Sequence, residues 1–122
     1  MAVMASSFRG NSGKFSAANL VDGNAQTYWA TDDNVKNGWV EVNFKVPKPV
    51  KYVLLQEYIK LGQRIKSFSI EAWDGKGWRK VSEGTTIGYK RIMKLNDVRT
   101  SKIRIHIGDS KACPVLSNVE AY

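Results

Sequence analysis

Apolar and polar residues alternate one by one through Trp39-Val40-Glu41-Val42-Asn43-Phe44, and no stretch of the chain sustains the longer period of an amphipathic helix. A period of two fits a strand with one face in a core and the other in solvent. The pattern returns in Ile65 to Trp73, with Phe68, Ile70 and Ala72 on one face, and in Lys102-Ile103-Arg104-Ile105-His106-Ile107. Turn residues separate these runs. Pro47-Lys48-Pro49 is expected to end the first before a second strand, Lys51 to Tyr58, because proline has no N–H for a ladder. Asp74-Gly75-Lys76-Gly77 is a hairpin signal that returns the chain into Trp78 to Ser82. Further strands are expected at Tyr89 to Leu95 and Leu116 to Tyr122; the opening segment reads as polar, with a short helical or turn stretch near Ser16 to Leu20. About seven or eight short strands at this spacing make the chain all-β and predict an antiparallel β-sandwich.

At 122 residues and 43% hydrophobic content the chain is long enough for one domain with a real core. Cys113 and His106 are each the only residue of their type, so no internal disulfide can form and most zinc arrangements are excluded. Cys113 is expected to be small apolar filler, since no spacing pairs it with His106 as an activated nucleophile. The net charge of +8 would suit an anionic partner, yet the 19 Lys and Arg are scattered. No nucleic-acid motif accompanies them. The chain has no run of about 18 apolar residues, and its first residues lack the basic and apolar regions of a signal peptide. A soluble, monomeric domain without nucleic-acid or membrane partners is expected.

The stretch Asn19 to Thr31 joins a polar loop to an aromatic pair. Asp22-Gly23-Asn24 makes a tight turn with exposed carbonyls, Thr27 adds a hydroxyl, and Tyr28-Trp29 can anchor the loop in the core. Such a loop suits a hard cation, although calcium takes about six to eight oxygens and a second carboxylate must come from elsewhere. Glu120 is the candidate, which would make the loop a clasp between the two ends of the domain. The alternative is that Asp-Gly-Asn is only a turn.

If successive strands run up and down, the loops Ala30 to Gly38, Ile59 to Arg64, Glu83 to Gly88 and Gly108 to Pro114 share one end of the sandwich. They carry Asp32, Asp33, Gln63, Arg64 and Lys111, with Glu57 and Tyr89 at strand ends. Loop clusters on rigid sheets are common binding surfaces; solvated loop polarity is the alternative. The Asp74 to Gly77 hairpin and Glu120 are expected towards the other end. Adjacent Asp32 and Asp33 do not make the pair of opposed carboxyl groups that glycoside hydrolysis requires, so the chain is not expected to be an enzyme by itself.

The Asn19 to Thr31 loop, the Asp-Gly hairpin and the closing Asn118-Val119-Glu120 resemble the coagulation factor V/VIII C-type, or discoidin-like, domain and its relative, carbohydrate-binding module family 32. Leu55 to Arg64, Gly84 to Arg91 and Ser110 to Pro114 are similar to the C-terminal domain of α-L-fucosidases of glycoside hydrolase family 29. The resemblance runs from Ala5 to Tyr122. It implies a discoidin-like, galactose-binding-like β-sandwich over residues 1–122, from the C-terminal part of a larger, secreted or periplasmic glycosidase. It also implies a structural calcium held by the carbonyls of Asn19, Asn24 and Val119 with Asp22, Thr27 and Glu120. Galactose-binding members place a histidine, an aromatic, an arginine and an asparagine near positions that here hold Ala30, Asp33, Glu57 and Gly62. The usual contacts are therefore missing. A fucose- or galactose-containing glycan would instead be met by Asp32, Asp33, Glu57, Tyr58, Gln63, Arg64 and Tyr89, with Trp39 a further aromatic platform. The first reading is a non-catalytic carbohydrate-binding module. Its alternative is an accessory domain packed on the catalytic domain, and binding to an anionic lipid or polymer comes third.

Overall fold

The computed structural model describes residues 2–122, and its strands are β1 (Ala2–Ala5), β2 (Trp29–Ala30), β3 (Gly38–Glu57), β4 (Ile65–Trp73), β5 (Trp78–Gly84), β6 (Arg91–Ser110) and β7 (Val115–Ala121). Short 3-10 turns at Arg9–Asn11, Gly13–Phe15, Ala17–Val21 and Ile59–Leu61 complete the architecture. All strand pairings are antiparallel, in the order β2-β7-β3-β6-β4-β5, with β1 paired to β3. The fold is an antiparallel β-sandwich.

Two 20-residue strands carry the chain from one layer to the other. The first part of β3 (38–43) lies between β1 and residues 102–107 of β6, whereas its second part (50–57) lies between β7 and residues 91–98 of β6. Strands that switch layers through a bend form the corners of such sandwiches. The sequence predicts separate strands on either side of Pro47-Lys48-Pro49, but the backbone stays extended through it. Only the ladder lapses, in a register shift between Asn43 and Lys48. Proline lacks the donor for pairing, yet its fixed φ suits an extended chain. Lys45 and Asp97 take positive φ (75° and 51°) in β3 and β6, where the ladder between the two strands is irregular. In the same way the strands expected at Tyr89 to Leu95 and Lys102 to Ile107 are parts of one strand, β6, which begins at Arg91 and not at Tyr89.

The opening segment differs from its polar reading, because Ala2 to Ala5 pairs with Val40 to Asn43 as β1. Four residues give too little alternation to be recognised alone. Elsewhere the predicted faces hold. Phe68, Ile70 and Ala72 are buried together with Val40, Val42, Ile103, Ile105 and Ile107, so Trp39, Glu41, Arg104 and His106 point away from the core. Trp29 is fully buried under the Asn19 to Thr31 loop, and its indole Nε1 donates to the Ser7 carbonyl at 2.9 Å. That bond satisfies the single polar atom of an otherwise apolar side chain.

Candidate functional site

Hydrogen bonds tie together the four loops expected at one end of the sandwich. Ser110 Oγ lies against the carbonyls of Ala112 and, at 3.3 Å, Lys36, and the Lys111 N–H donates to the Arg64 carbonyl at 2.7 Å. Glu57 connects the others. Its Oε1 accepts from the backbone N–H of Arg64 (2.8 Å) and Ile65 (3.1 Å), and its Oε2 accepts from Gly88 (2.8 Å). With 2% of its surface exposed, this carboxylate serves the loops and not a ligand, which corrects its assignment as a sugar contact. Buried carboxylates require such donors, since an unpaired buried charge is costly.

Other predicted contacts are also engaged from within. Gln63 donates to the Ile65 carbonyl at 2.6 Å. Arg64 donates through Nε to Leu61 and through Nη1 to the carbonyl and sulfur of Cys113. Asp32 accepts from the Gly10 N–H at 2.9 Å. Tyr58 packs its ring 4.7 Å from Tyr28, which in turn stands 5.6 Å from Phe15. Tyr89, at 67% exposure, is the most open aromatic of the set. Trp39 lies elsewhere, on the outer sheet face, with its ring against Arg104.

Arg9, in a 3-10 turn far away in sequence, completes this end and carried no signal in the sequence. Its Nη2 donates to Asp33 at 2.6 Å and to the buried Cys113 sulfur at 3.1 Å. The hydrogen bond from Arg9 holds the Asp33 carboxyl below the ordinary carboxylate range, and Asp33 raises the Arg9 guanidinium in return. Cys113 packs with Ala30 and Val115, away from His106 on the outer face of β6.

The Asp22 loop is held by its own oxygens. Asp22 Oδ1 accepts from the Asn24 N–H at 2.9 Å, and its Oδ2 accepts from the Thr27 hydroxyl. The same hydroxyl lies 3.0 Å from the Asn24 carbonyl. The hydroxyl thus sits between a carboxylate and a carbonyl oxygen, all donors of the type that a hard cation takes. Asn19 sits at the loop's base, donating from Nδ2 to the carbonyls of Lys14 and Tyr28. Glu120 faces this loop across a cavity of about 280 Å³ lined by Gly23, Asn24, Asn118 and Glu120. Val119 precedes it in β7, opposite Leu55. A hydrogen bond to Glu120 raises the Tyr122 phenol above its ordinary pKa. The described residues include no three His, Cys, Asp or Glu side chains placed to hold a metal. By chemistry, the oxygens of Asp22, Thr27 and Glu120 with backbone carbonyls would be the mixed donors that calcium prefers. Lys60 Nζ donates to Gln26 Oε1 at 3.2 Å, which links this loop to the Ile59 to Arg64 loop.

Residues 2–118 match the F5/8 type C domain family. The chain belongs to that family. It is 34% identical over 125 residues to alpha-L-fucosidase 1 of Arabidopsis thaliana, covering 98% of this chain and 24% of that protein. Among solved structures, a Ruminococcus gnavus GH29 fucosidase in complex with fucose is 31% identical with a TM-score of 0.91, over 99% of this chain and 25% of that one. A Clostridium perfringens CBM32 module in complex with GalNAc-β-1,3-galactose shares the fold at a TM-score of 0.86 and 15% identity, over 99% of this chain and 94% of the module. The chain thus spans about a quarter of the length of the fucosidases it matches.

Proposed function

We propose that this F5/8 type C domain is a non-catalytic glycan-binding module of an α-L-fucosidase-like enzyme, clasped by a structural calcium between the Asp22 loop and Glu120. The observation that carries this reading is the length relation. Nearly the whole chain aligns with only a quarter of each fucosidase, while forming a complete sandwich with its own core. Asp32 and Asp33 support no hydrolysis, since they are adjacent in sequence and each is bonded to the segment around Arg9. A fucose- or galactose-containing glycan would meet the exposed parts of the loop end, namely Tyr89 with Asp32 and Asp33.

A second reading rests on a specific observation. Glu57, Gln63 and Arg64 are occupied by the protein itself, so the loop end is built more for rigidity than for a deep sugar pocket. A rigid, shallow end suits packing against a catalytic domain. Titration with fucose, galactose and N-acetyllactosamine, read by amide chemical shifts, separates the two readings. Movement confined to residues 31–37 and 84–91 supports the module; silence there with all three sugars leaves the accessory domain.

A further inference from the structure

The layer formed by β7, residues 50–57 of β3 and residues 91–98 of β6 turns an unusual face outward. Its inward residues, among them Val53, Leu55, Leu95, Val98 and Val119, are buried in the core. Register then sets Tyr52 between Tyr122 and Lys94, and Leu54 between Glu120 and Ile92, on the other side of the sheet. An antiparallel sheet with one solvated face is expected to be polar there. Instead Tyr52, Ile92 and Tyr122 are 42%, 58% and 60% exposed, and with Leu54 they line one shallow recess of about 280 Å³. Single exposed apolar side chains are ordinary, but adjoining ones mark a contact surface.

The rim of this patch is basic. Lys51 and Lys94 are exposed beside the tyrosines and join none of the ion pairs among the described residues. Glu120, the acid on the same rows, takes the Tyr122 phenol and faces the Asp22 loop.

Area and charge together select the occupant. A large side chain that buries about 150 to 250 Å² when fully covered offers about 100 Å² at half exposure. Four of them fall well short of the roughly 800 Å² that each partner of a stable complex buries. A second copy of this chain would have to complete the contact by setting lysine against lysine, in a molecule of net charge +8. Domains of one polypeptide need less, because linkage holds them at an effective concentration of about millimolar. Three quarters of the length of each matched fucosidase lies outside the part that this chain spans. We infer that the face of Tyr52, Leu54, Ile92 and Tyr122 docks on the remainder of the parent enzyme chain, through an apolar patch edged with aspartate or glutamate. The inference rests on the reading of this chain as part of an α-L-fucosidase-like enzyme. It moves the interdomain contact from the loop end to a sheet face, which leaves the loops open to a glycan.

Hydroxyl-radical labelling, read residue by residue, compares the isolated chain with the full parent polypeptide. Labelling of Tyr52, Leu54, Ile92 and Tyr122 should fall in the full polypeptide, while Tyr89 labels equally in both. Ile92→Glu changes an exposed position and should leave the melting temperature of the isolated chain unaltered, yet restore labelling of Tyr52 and Tyr122 in the full polypeptide. The docking surface is overturned if the four side chains label equally in both forms, or if protection falls at Tyr89 in their place. It is also overturned if the isolated chain sediments as a dimer with these four protected. Should Ile92→Glu destabilise the isolated chain, the two maps of the unaltered protein decide. Release of fucose from an aryl α-L-fucoside by the full polypeptide tests the enzyme reading separately. Activity without protection removes the docking surface alone; protection without activity keeps that surface and removes the fucosidase-like reading.

Discussion

Glu57 shows how a single residue can be read correctly in place and wrongly in role. Its position between a strand end and the loop cluster was legible, but its three backbone donors come from residues 64, 65 and 88, and no local pattern announces them. Removing its carboxylate should orphan those donors. Each buried, unpaired donor costs about 1 to 3 kcal/mol, against a domain stability of about 5 to 15 kcal/mol. Glu57→Ala is therefore expected to lower the urea midpoint strongly and to loosen residues 59–64 and 84–88. A variant within about 0.5 kcal/mol of the parent would show that water replaces the carboxylate there. Trp29 is the opposite case, since an aromatic directly after a polar loop reads as its anchor and is fully buried. Trp29→Ala should lose about 3 to 5 kcal/mol in the same measurement, and a fully stable variant would place the anchor elsewhere.

At the scale of elements, legibility followed alternation. β4 was readable because one face is buried and the other is not, so every second residue reports its side. β1 and β2 were not, being four and two residues long, and the turn at Arg9 matters only through contacts far away in the chain. The Asp74 to Gly77 hairpin was readable from its turn residues, and the structure adds a titration to it. Asp74 Oδ1 accepts from the N–H groups of Lys76 and Gly77, each at 2.8 Å, and these bonds lower its pKa. A carboxylate with a depressed folded pKa adds stability above its unfolded pKa of about 3.9, and that stability fades as pH falls through the folded value. The stability difference between the parent and Asp74→Ala should accordingly be present at neutral pH and shrink towards zero in acid. A difference independent of pH would assign the effect to the turn backbone instead. The Asp22 loop makes a metal-dependent counterpart. If calcium bridges it to Glu120, chelation should lower the melting temperature and release both chain ends, since a ligand at a hundredfold its dissociation constant adds about 2.7 kcal/mol. An unchanged melting temperature in a sample shown to have contained calcium would reduce the loop to a turn.

For the whole molecule the question is whether the net charge of +8 or the surface chemistry selects the partner. The basic residues are spread over β3, β4, β5, β6 and the loops, and some pair with acids, as Arg9 does with Asp33, Lys66 with Asp109 and Arg104 with Glu41. Charge dispersed in this way steers weakly, and what steering it gives is screened by salt. A neutral glycan bound through aromatic faces and hydroxyl hydrogen bonds feels none of it. Raising ionic strength from about 0.1 M to about 1 M shortens the screening length from about 10 Å to about 3 Å. Glycan affinity should stay within about twofold across that range, because a shift of 1.4 kcal/mol would be needed for tenfold. An anionic polymer or lipid surface, held by long-range attraction to the same lysines and arginines, would be released over the same range. A steep loss of binding with salt would therefore show that this domain's partner is selected by charge and that a neutral saccharide is not its principal contact.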